Sequence, residues 1–411
     1  MDPPRRGRSG TVLPALNDNG DTQDEIYSEP CQRRLDLLEQ LDIILDHEHV
    51  TPSFWAVLMM SDIELLEKLV VEAEKSPYLV KFCQHACTAI PLTWKQKEPR
   101  FRQSNQSASS TSSGTNNRNE TLKKKAKKRD NESCVIRKQS AGVQVAHIYP
   151  WCLLSGNQTN VGLSYPPFWE MLKYFWSPAR ISLWHSKIFT NPERPGTPYD
   201  SISNLICLSS DLHQAWTDGR FALRPLEYNA EKTELKFQFY YQPAPNHSLG
   251  DRISLLTRPG SSRDLDGLYR NQGTVLTLVL VDDNGQVLRV RSGQEFTFKT
   301  SDPVELPLPS KELLEMAWIL ARVVNLSGAG EEKEIEEFSS DDGYDIGITA
   351  KTERIRDWLE KSAQSSDNSS EMDIDTTGIT SAGPSPMKTR DITTETENTL
   401  EQHTLTRENE I

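Results

Sequence analysis

The chain has 411 residues, a formal net charge of −13 and a mean hydropathy of −0.60, a length that supports two or three domains and at least one sizeable core. The charge is concentrated: residues 331–411 hold 21 Asp and Glu against 8 Lys and Arg, while the first 330 residues carry 38 charges of each sign. The acidic total therefore does not exclude a polyanionic partner for the rest of the chain.

Six cysteines (Cys31, Cys83, Cys87, Cys134, Cys152, Cys207) include no CxxC pair, and no run of 18 apolar residues or signal-peptide pattern occurs. This composition argues against a disulfide scaffold or a membrane span and predicts a reduced, soluble, intracellular protein with no membrane partner. Cys83 and Cys87 flank His85 like half a zinc site, but no second half follows, so they read as helix residues.

Residues 1–32, rich in Pro, Gly, Asp and Arg without an apolar period, are predicted to be disordered. Residues 33–94 read as a helical unit. Leu35, Leu38, Leu41 and Leu45 repeat at helical spacing. Thr51 before Pro52 is an N-cap signal, and Ser61 to Glu64 has the form of a capping box leading into LLEKLVVEAE. Residues 95–132 read as a basic low-complexity linker, QSNQSASSTSSGTNNRNE followed by LKKKAKKR. From Lys95 to Arg129 it carries 11 basic and 2 acidic residues. The cluster Lys123, Lys124, Lys125, Lys127, Lys128 and Arg129 reads first as a nuclear import signal bound by an import receptor. A phosphate-binding site for nucleic acid is the second reading, and a solvated linker the bland third.

Residues 133–226 form an aromatic-rich centre. VQVAHIYPW alternates as a strand does and ends at Pro150, Asn204 opens a second short strand, and Ser210 begins a helix that stops near Gly219. Beyond it, residues 227–327 read as a β-rich extension with a terminal helix. KFQFYY and TVLTLVLV are strand-like, Asn284-Gly285 signals a hairpin, and GQEFTFKT is a third strand. Ser310 caps a helix through residue 326. Residues 328–411 are an acidic tail predicted to be disordered apart from a short helix near 354–361, with protein partners as its expected contacts.

The centre places a histidine on a strand (His147), an asparagine opening a second strand (Asn204) and a histidine on the following helix (His213), the last two nine positions apart. A neutral histidine can take a proton from water near pH 7. A side-chain amide can hold its tautomer, and a helix histidine can hold a cation for an expelled oxyanion. That order suits metal-assisted hydrolysis of a phosphodiester.

Cys134, AHIYPW (146–151), FWSPARISLW (175–184) and NLICLSSDLHQAWTDGRFALRP (204–225) together resemble the HNH endonuclease family, most closely its fungal nuclease-domain proteins. The resemblance implies an α+β fold built on a ββα-metal motif, with an aromatic helical insertion and following strands. It implies His147 as general base, Asn204 orienting it and His213 binding a divalent metal, Mg²⁺ or Mn²⁺ with Zn²⁺ as the alternative; DNA rather than RNA would be the substrate. Ala146 stands where many relatives carry a second metal ligand, and Thr217 stands where an acid often follows the helix histidine. Asp218, one place further, is a weaker candidate ligand. The relatives' four-cysteine zinc knuckle is absent.

The insertion holds Trp169, Phe175, Trp176 and Trp184, which read as a packed lid or, alternatively, a base-stacking surface. A metal-dependent DNA endonuclease in the nucleus, or otherwise the cytoplasm, is the expected function. A catalytically inactive nuclear module that binds nucleic acid or protein on an HNH fold is the alternative, and a structural zinc protein the third.

Overall fold

The computed structural model describes residues 24–95, 113–154, 168–270, 273–281 and 286–331. Of the expected disordered N-terminus, residues 24–32 are ordered: a 3-10 turn at Glu25–Tyr27 buries Ile26, and Glu25 pairs with Arg34 inside the fold at 2.8 Å. Helix α1 (Gln32–Ile44) buries Leu37, Leu38 and Leu41. Helix α2 (Pro52–Met60) is capped as its sequence predicts, the Thr51 hydroxyl accepting from Phe54 N–H at 3.3 Å, and is buried nearly all round, as befits a run without polar faces.

The expected capping box before α3 (Ile63–Lys75) does not form. Asp62 takes the N-cap position without capping, and the Ser61 hydroxyl donates back to Leu58 O at 3.0 Å. The Asp62 carboxylate instead accepts from Ser177 N–H and pairs with Arg180 at 2.8 Å. A long-range ion pair has replaced the local cap, which no sequence window can show. Helices α4 (Pro77–Cys87) and α5 (Ala89–Lys95) complete this unit. Cys83 and Cys87 are buried free thiols on α4, both pushed up by burial.

The basic linker gives way to helix α6 (Ser113–Arg129). Leu122 and Ala126, four positions apart, pack against Val145, Ile202 and Leu205, so one stripe of an otherwise charged helix is apolar enough to dock. Strand β1 (Val143–His147) follows, then helices α7 (Trp151–Leu154), α8 (Phe168–Leu172) and α9 (Pro178–Ile188). Trp169, Phe175, Trp176 and Trp184 are all buried, Trp176 and Trp184 completely. Trp176 Nε1–H donates to Met60 O at 3.0 Å and Trp184 Nε1–H to the Glu315 carboxylate at 3.3 Å. Trp169 packs on Tyr149, Phe168, His185 and Phe189, so these four rings are core and none is a base-stacking surface.

Strand β2 (Leu205–Ser209) pairs antiparallel with β1, His147 opposite Leu205 and Val143 opposite Ser209. Helix α10 (Ser210–Thr217) follows at once and ends at Gly219, whose φ is +65°. A Cβ there would lie 2.7 Å from Ala321 O, so the left-handed turn and the close approach of the next helix both require glycine.

Strands β3 (Phe221–Tyr228) and β4 (Glu234–Tyr241) lead into a three-stranded antiparallel sheet closed later in the chain. The run TVLTLVLV does not form one strand. It divides into part of a first small pair, β5 (Leu268–Arg270) with β6 (Gly273–Leu276), and a second, β7 (Val279–Val281) with β8 (Val287–Arg289). The break falls at Leu278, whose N–H is taken by the Tyr241 hydroxyl at 3.1 Å and whose carbonyl accepts from Val290 N–H at 2.9 Å. Asn284-Gly285 lies outside the described residues. Strand β9 (Gln294–Lys299) completes the sheet in the order β3-β4-β9. Helix α11 (Lys311–Leu326), capped by Ser310 as predicted, packs on β3 and on α2, α5 and α9. One hydrophobic cluster runs from Ile26 to Ala329, so the helical unit, the centre and the β-rich extension share a core. The acidic segment from residue 332, with the expected helix near 354–361, lies outside the described residues. No described helix is long and apolar enough to cross a membrane.

Candidate active site

The centre assembles as two antiparallel strands and a helix, β1, β2 and α10, in the expected order. Side chains alternate across β1. Val145 lies with Leu205 against α6, and His147, two residues on and opposite Leu205, points to that same side. Gln144 and Ala146 point to the other, where α10 sits. The α6 segment also closes the outer edge of β2. Arg129 donates to Leu205 O at 2.6 Å, Asp130 accepts from Cys207 N–H at 3.0 Å, and Val135 N–H donates to Cys207 O at 2.9 Å. Each backbone group on that edge of β2 from Leu205 O to Cys207 O is thereby satisfied without a third strand.

His147 ends β1 with its side chain 11% exposed, its ring 5.3 Å from that of Trp151. Its carbonyl accepts from Trp216 Nε1–H of α10 at 3.2 Å. Its Nε2 lies 3.2 Å from Oδ2 of Asp200. Nδ1 makes no hydrogen bond among the described residues. Asp200 was not among the residues singled out from the sequence. It sits in a Pro/Tyr-containing loop with no motif around it, 53 positions from His147, and only tertiary folding reveals the pairing.

Asn204 is 1% exposed and closes a 3-10 turn (Ile202–Asn204) just before β2. Its Oδ1 accepts from Tyr149 N–H at 2.7 Å, and its Nδ2 donates to Tyr149 O at 3.1 Å and to Asp200 Oδ1 at 3.4 Å. Its backbone carbonyl takes Ile148 N–H at 2.8 Å. Contrary to the expectation from the sequence, the amide does not touch the imidazole directly. It clamps both backbone groups of the residue two places after His147 and steadies the carboxylate beside it.

His213 lies on the α10 side of the sheet, its Nδ1 2.7 Å from Gln144 Oε1. His147 and His213 therefore flank opposite faces of β1. The Thr217 hydroxyl donates to His213 O at 3.0 Å, so it is occupied within the helix. Asp218, five residues on from His213, sits roughly 140° around the helix axis from it. Its carboxylate accepts from Gln214 Nε2–H at 3.0 and 3.1 Å and lies 3.6 Å from Arg220. With Arg137, Asp211, Gln214 and Arg220 it lines a cavity of about 270 Å³ that neither His147 nor His213 lines. The structure thus does not bring Asp218 to His213.

A divalent metal at His213 would have that one imidazole, whose Nδ1 is already hydrogen-bonded to the amide oxygen of Gln144. Ala146, wholly buried on the same side, offers no donor, and no cluster of three or more His, Cys, Asp or Glu that could hold a metal occurs among the described residues. Hard divalent cations take oxygen ligands that include carboxylates. The described side chains do not fit a complete metal centre.

The basic cluster divides. Arg129 is sealed in, donating to Ile202 O and Pro307 O at 3.1 Å each and to Leu205 O, and pairing with Asp130 at 2.8 Å. It is a structural clamp, and its burial keeps it from the phosphate or import-receptor contact that the sequence suggested. Lys123 lies 3.5 Å from Glu120 and Lys125 2.9 Å from Glu305. Lys124 and Lys128 are exposed on the side of α6 away from the sheet, with Lys127 half-buried on its flank.

Residues 134–224 match the model of the family described as HNH endonuclease, so the chain carries an HNH endonuclease domain over that span. None of the curated proteins and none of the solved structures compared matches the chain.

Proposed function

We propose that this HNH endonuclease domain hydrolyses phosphodiester bonds of DNA, with His147 as the general base. The observation that carries the proposal is the strand-end arrangement of His147, with Nδ1 unpaired among the described residues and the following loop pinned by buried Asn204. A base held in one place with one nitrogen available is what proton removal from water requires. Nδ1 takes a proton from water as its oxygen bonds to phosphorus. The bond from phosphorus to the leaving oxygen breaks, and that oxygen takes up a proton from solvent. Asn204 contributes by holding the Ile148–Tyr149 backbone, and hence the end of β1, in register.

In this proposal Lys124, Lys127 and Lys128 meet DNA phosphates along the outer side of α6, the helix that packs on the sheet beside β1 and β2. The same lysines with Lys123 and Lys125 are the segment an import receptor would read, which supports a nuclear location. HNH nucleases typically use a divalent metal, and His213 is the residue that would hold Mg²⁺, Mn²⁺ or Zn²⁺ in this chain. Because its described neighbours fall short of a full donor set, no step above depends on the ion.

The test is cleavage of supercoiled plasmid by the full chain, supplied in turn with Mg²⁺, Mn²⁺ and Zn²⁺. Nicking by the wild type and at least a hundredfold loss in His147→Ala is expected. Undiminished nicking by His147→Ala would overturn the assignment of the base. Ala146, buried and without a donor at the position of a family metal ligand, favours the second reading, a nucleic-acid-binding module that has kept the fold without the chemistry. DNA binding by a wild type that fails to cleave with any of the three metals would establish it.

A further inference from the structure

We propose that Asp200 is the positioning residue for His147, its carboxylate accepting the Nε2–H and so leaving Nδ1 as the nitrogen that acts as base. The role as partner of a base rests on the endonuclease reading; the pairing itself does not.

The geometry supplies the argument. Asp200 Oδ2 lies 3.2 Å from His147 Nε2, and the side chains are only 12% and 11% exposed. An ionised carboxylate can only accept, so the proton of a neutral imidazole paired with it resides on Nε2 and the lone pair on Nδ1. The carboxylate is itself held. Its other oxygen, Oδ1, accepts from Ser201 N–H at 2.9 Å and from Asn204 Nδ2–H at 3.4 Å. The same Asn204 amide grips Tyr149 on both backbone groups, so one buried residue fixes the acid and the loop after the base together.

An ordinary stabilising ion pair does not account for Asp200. No Lys or Arg pairs with it among the described residues, and its only ionisable partner is His147. The nearby Arg129 pairs with Asp130 and with backbone carbonyls. A largely buried carboxylate without a cation is a cost to folding, and a site that must aim an imidazole gives a reason to keep it. The Trp151 ring lies 5.3 Å from the imidazole, tilted by 45°, so the imidazole is restrained by an acceptor at Nε2 and an indole nearby.

The experiment uses the full chain, free of metal, with ring ¹⁵N-labelled histidine; the His147 signals are assigned by their loss in His147→Gln. In the wild type a ring N–H proton on Nε2 of His147 should appear downfield and exchange slowly. It should disappear in Asp200→Leu, which has no acceptor, and persist in Asp200→Glu. In the plasmid assay, Asp200→Leu should lower kcat at least tenfold with KM unchanged within twofold, and Asp200→Glu should recover part of the loss. The same N–H signal in wild type and Asp200→Leu would overturn the proposal, as would a wild-type proton on Nδ1. Equal loss of kcat in Asp200→Leu and Asp200→Glu would reduce Asp200 to a packing residue. A wild type that never cleaves, yet shows the Asp200-dependent N–H, would sink the endonuclease reading and uphold the pair.

Discussion

Substitution of Asn204 tests whether a buried amide holds the end of β1. In Asn204→Ala, Tyr149 loses the acceptor for its N–H at 2.7 Å and the donor to its carbonyl at 3.1 Å. The site is 1% exposed, so water does not readily replace either bond. Each stranded buried group costs about 1–3 kcal/mol, and the two together should remove roughly 2–6 kcal/mol, a large part of an ordinary domain's stability. Asn204→Asp keeps the shape and the acceptor but loses the donor to Tyr149 O and sets a second carboxylate beside Asp200, 3.4 Å from the present amide nitrogen. At pH 7 it should be destabilised as much as the alanine variant. It should regain stability as pH falls, because a buried acid facing another carboxylate has a raised folded pKa and, once protonated, can donate again. Urea unfolding followed by tryptophan fluorescence at pH 7 and pH 5 measures both effects. A loss below about 0.5 kcal/mol in both variants, with unchanged denaturant dependence, would refute the clamp, since surface-like substitutions stay within that range.

Two further outcomes test the frame around the site. Arg129→Met keeps an unbranched stem but leaves Asp130 without its partner and three carbonyls (Ile202, Leu205, Pro307) without their donor, so about 3–5 kcal/mol should be lost by urea unfolding; the double variant Arg129→Met, Asp130→Leu should recover part of it. Burial alone would raise the Glu25 carboxyl, yet the Arg34 guanidinium and the Cys31 N–H outweigh it and hold it below the usual carboxylate range. A lowered folded pKa means stability that is present above the unfolded value near 4.5 and lost as pH falls through the folded one. Glu25→Gln should therefore be less stable than wild type at pH 7, and the gap should narrow below about pH 4.5 in thermal melts; a gap independent of pH would contradict the ion-pair account.

Local patterns read correctly where the physics is local. Thr51 and Ser310 cap the helices that follow them, because a hydroxyl three residues from an N–H needs no distant partner. His147 and His213 fall on the strand and helix that their spacing suggested, while Asn204, expected to open the second strand, closes the turn just before it. The side of the sheet each presents followed only from the β1–β2 register, which sets Leu205 opposite His147 and so turns the two histidines to opposite faces. Asp62 shows why other readings failed: its box-like sequence was overruled by Ser177 and Arg180, more than a hundred positions away. Arg129 looked like one more charge in a basic run, and burial against β2 made it a clamp.

By itself the sequence determined that the centre is a strand-strand-helix element with an HNH-like order of residues, because period, capping and spacing are properties of short segments. Only the tertiary structure decided what the site consists of. Asp200 joined His147, Asp218 turned toward Arg220, and the aromatic insertion went into the core. These outcomes depend on which distant groups compete for a carboxylate or a buried face, and that competition exists only once the chain has folded.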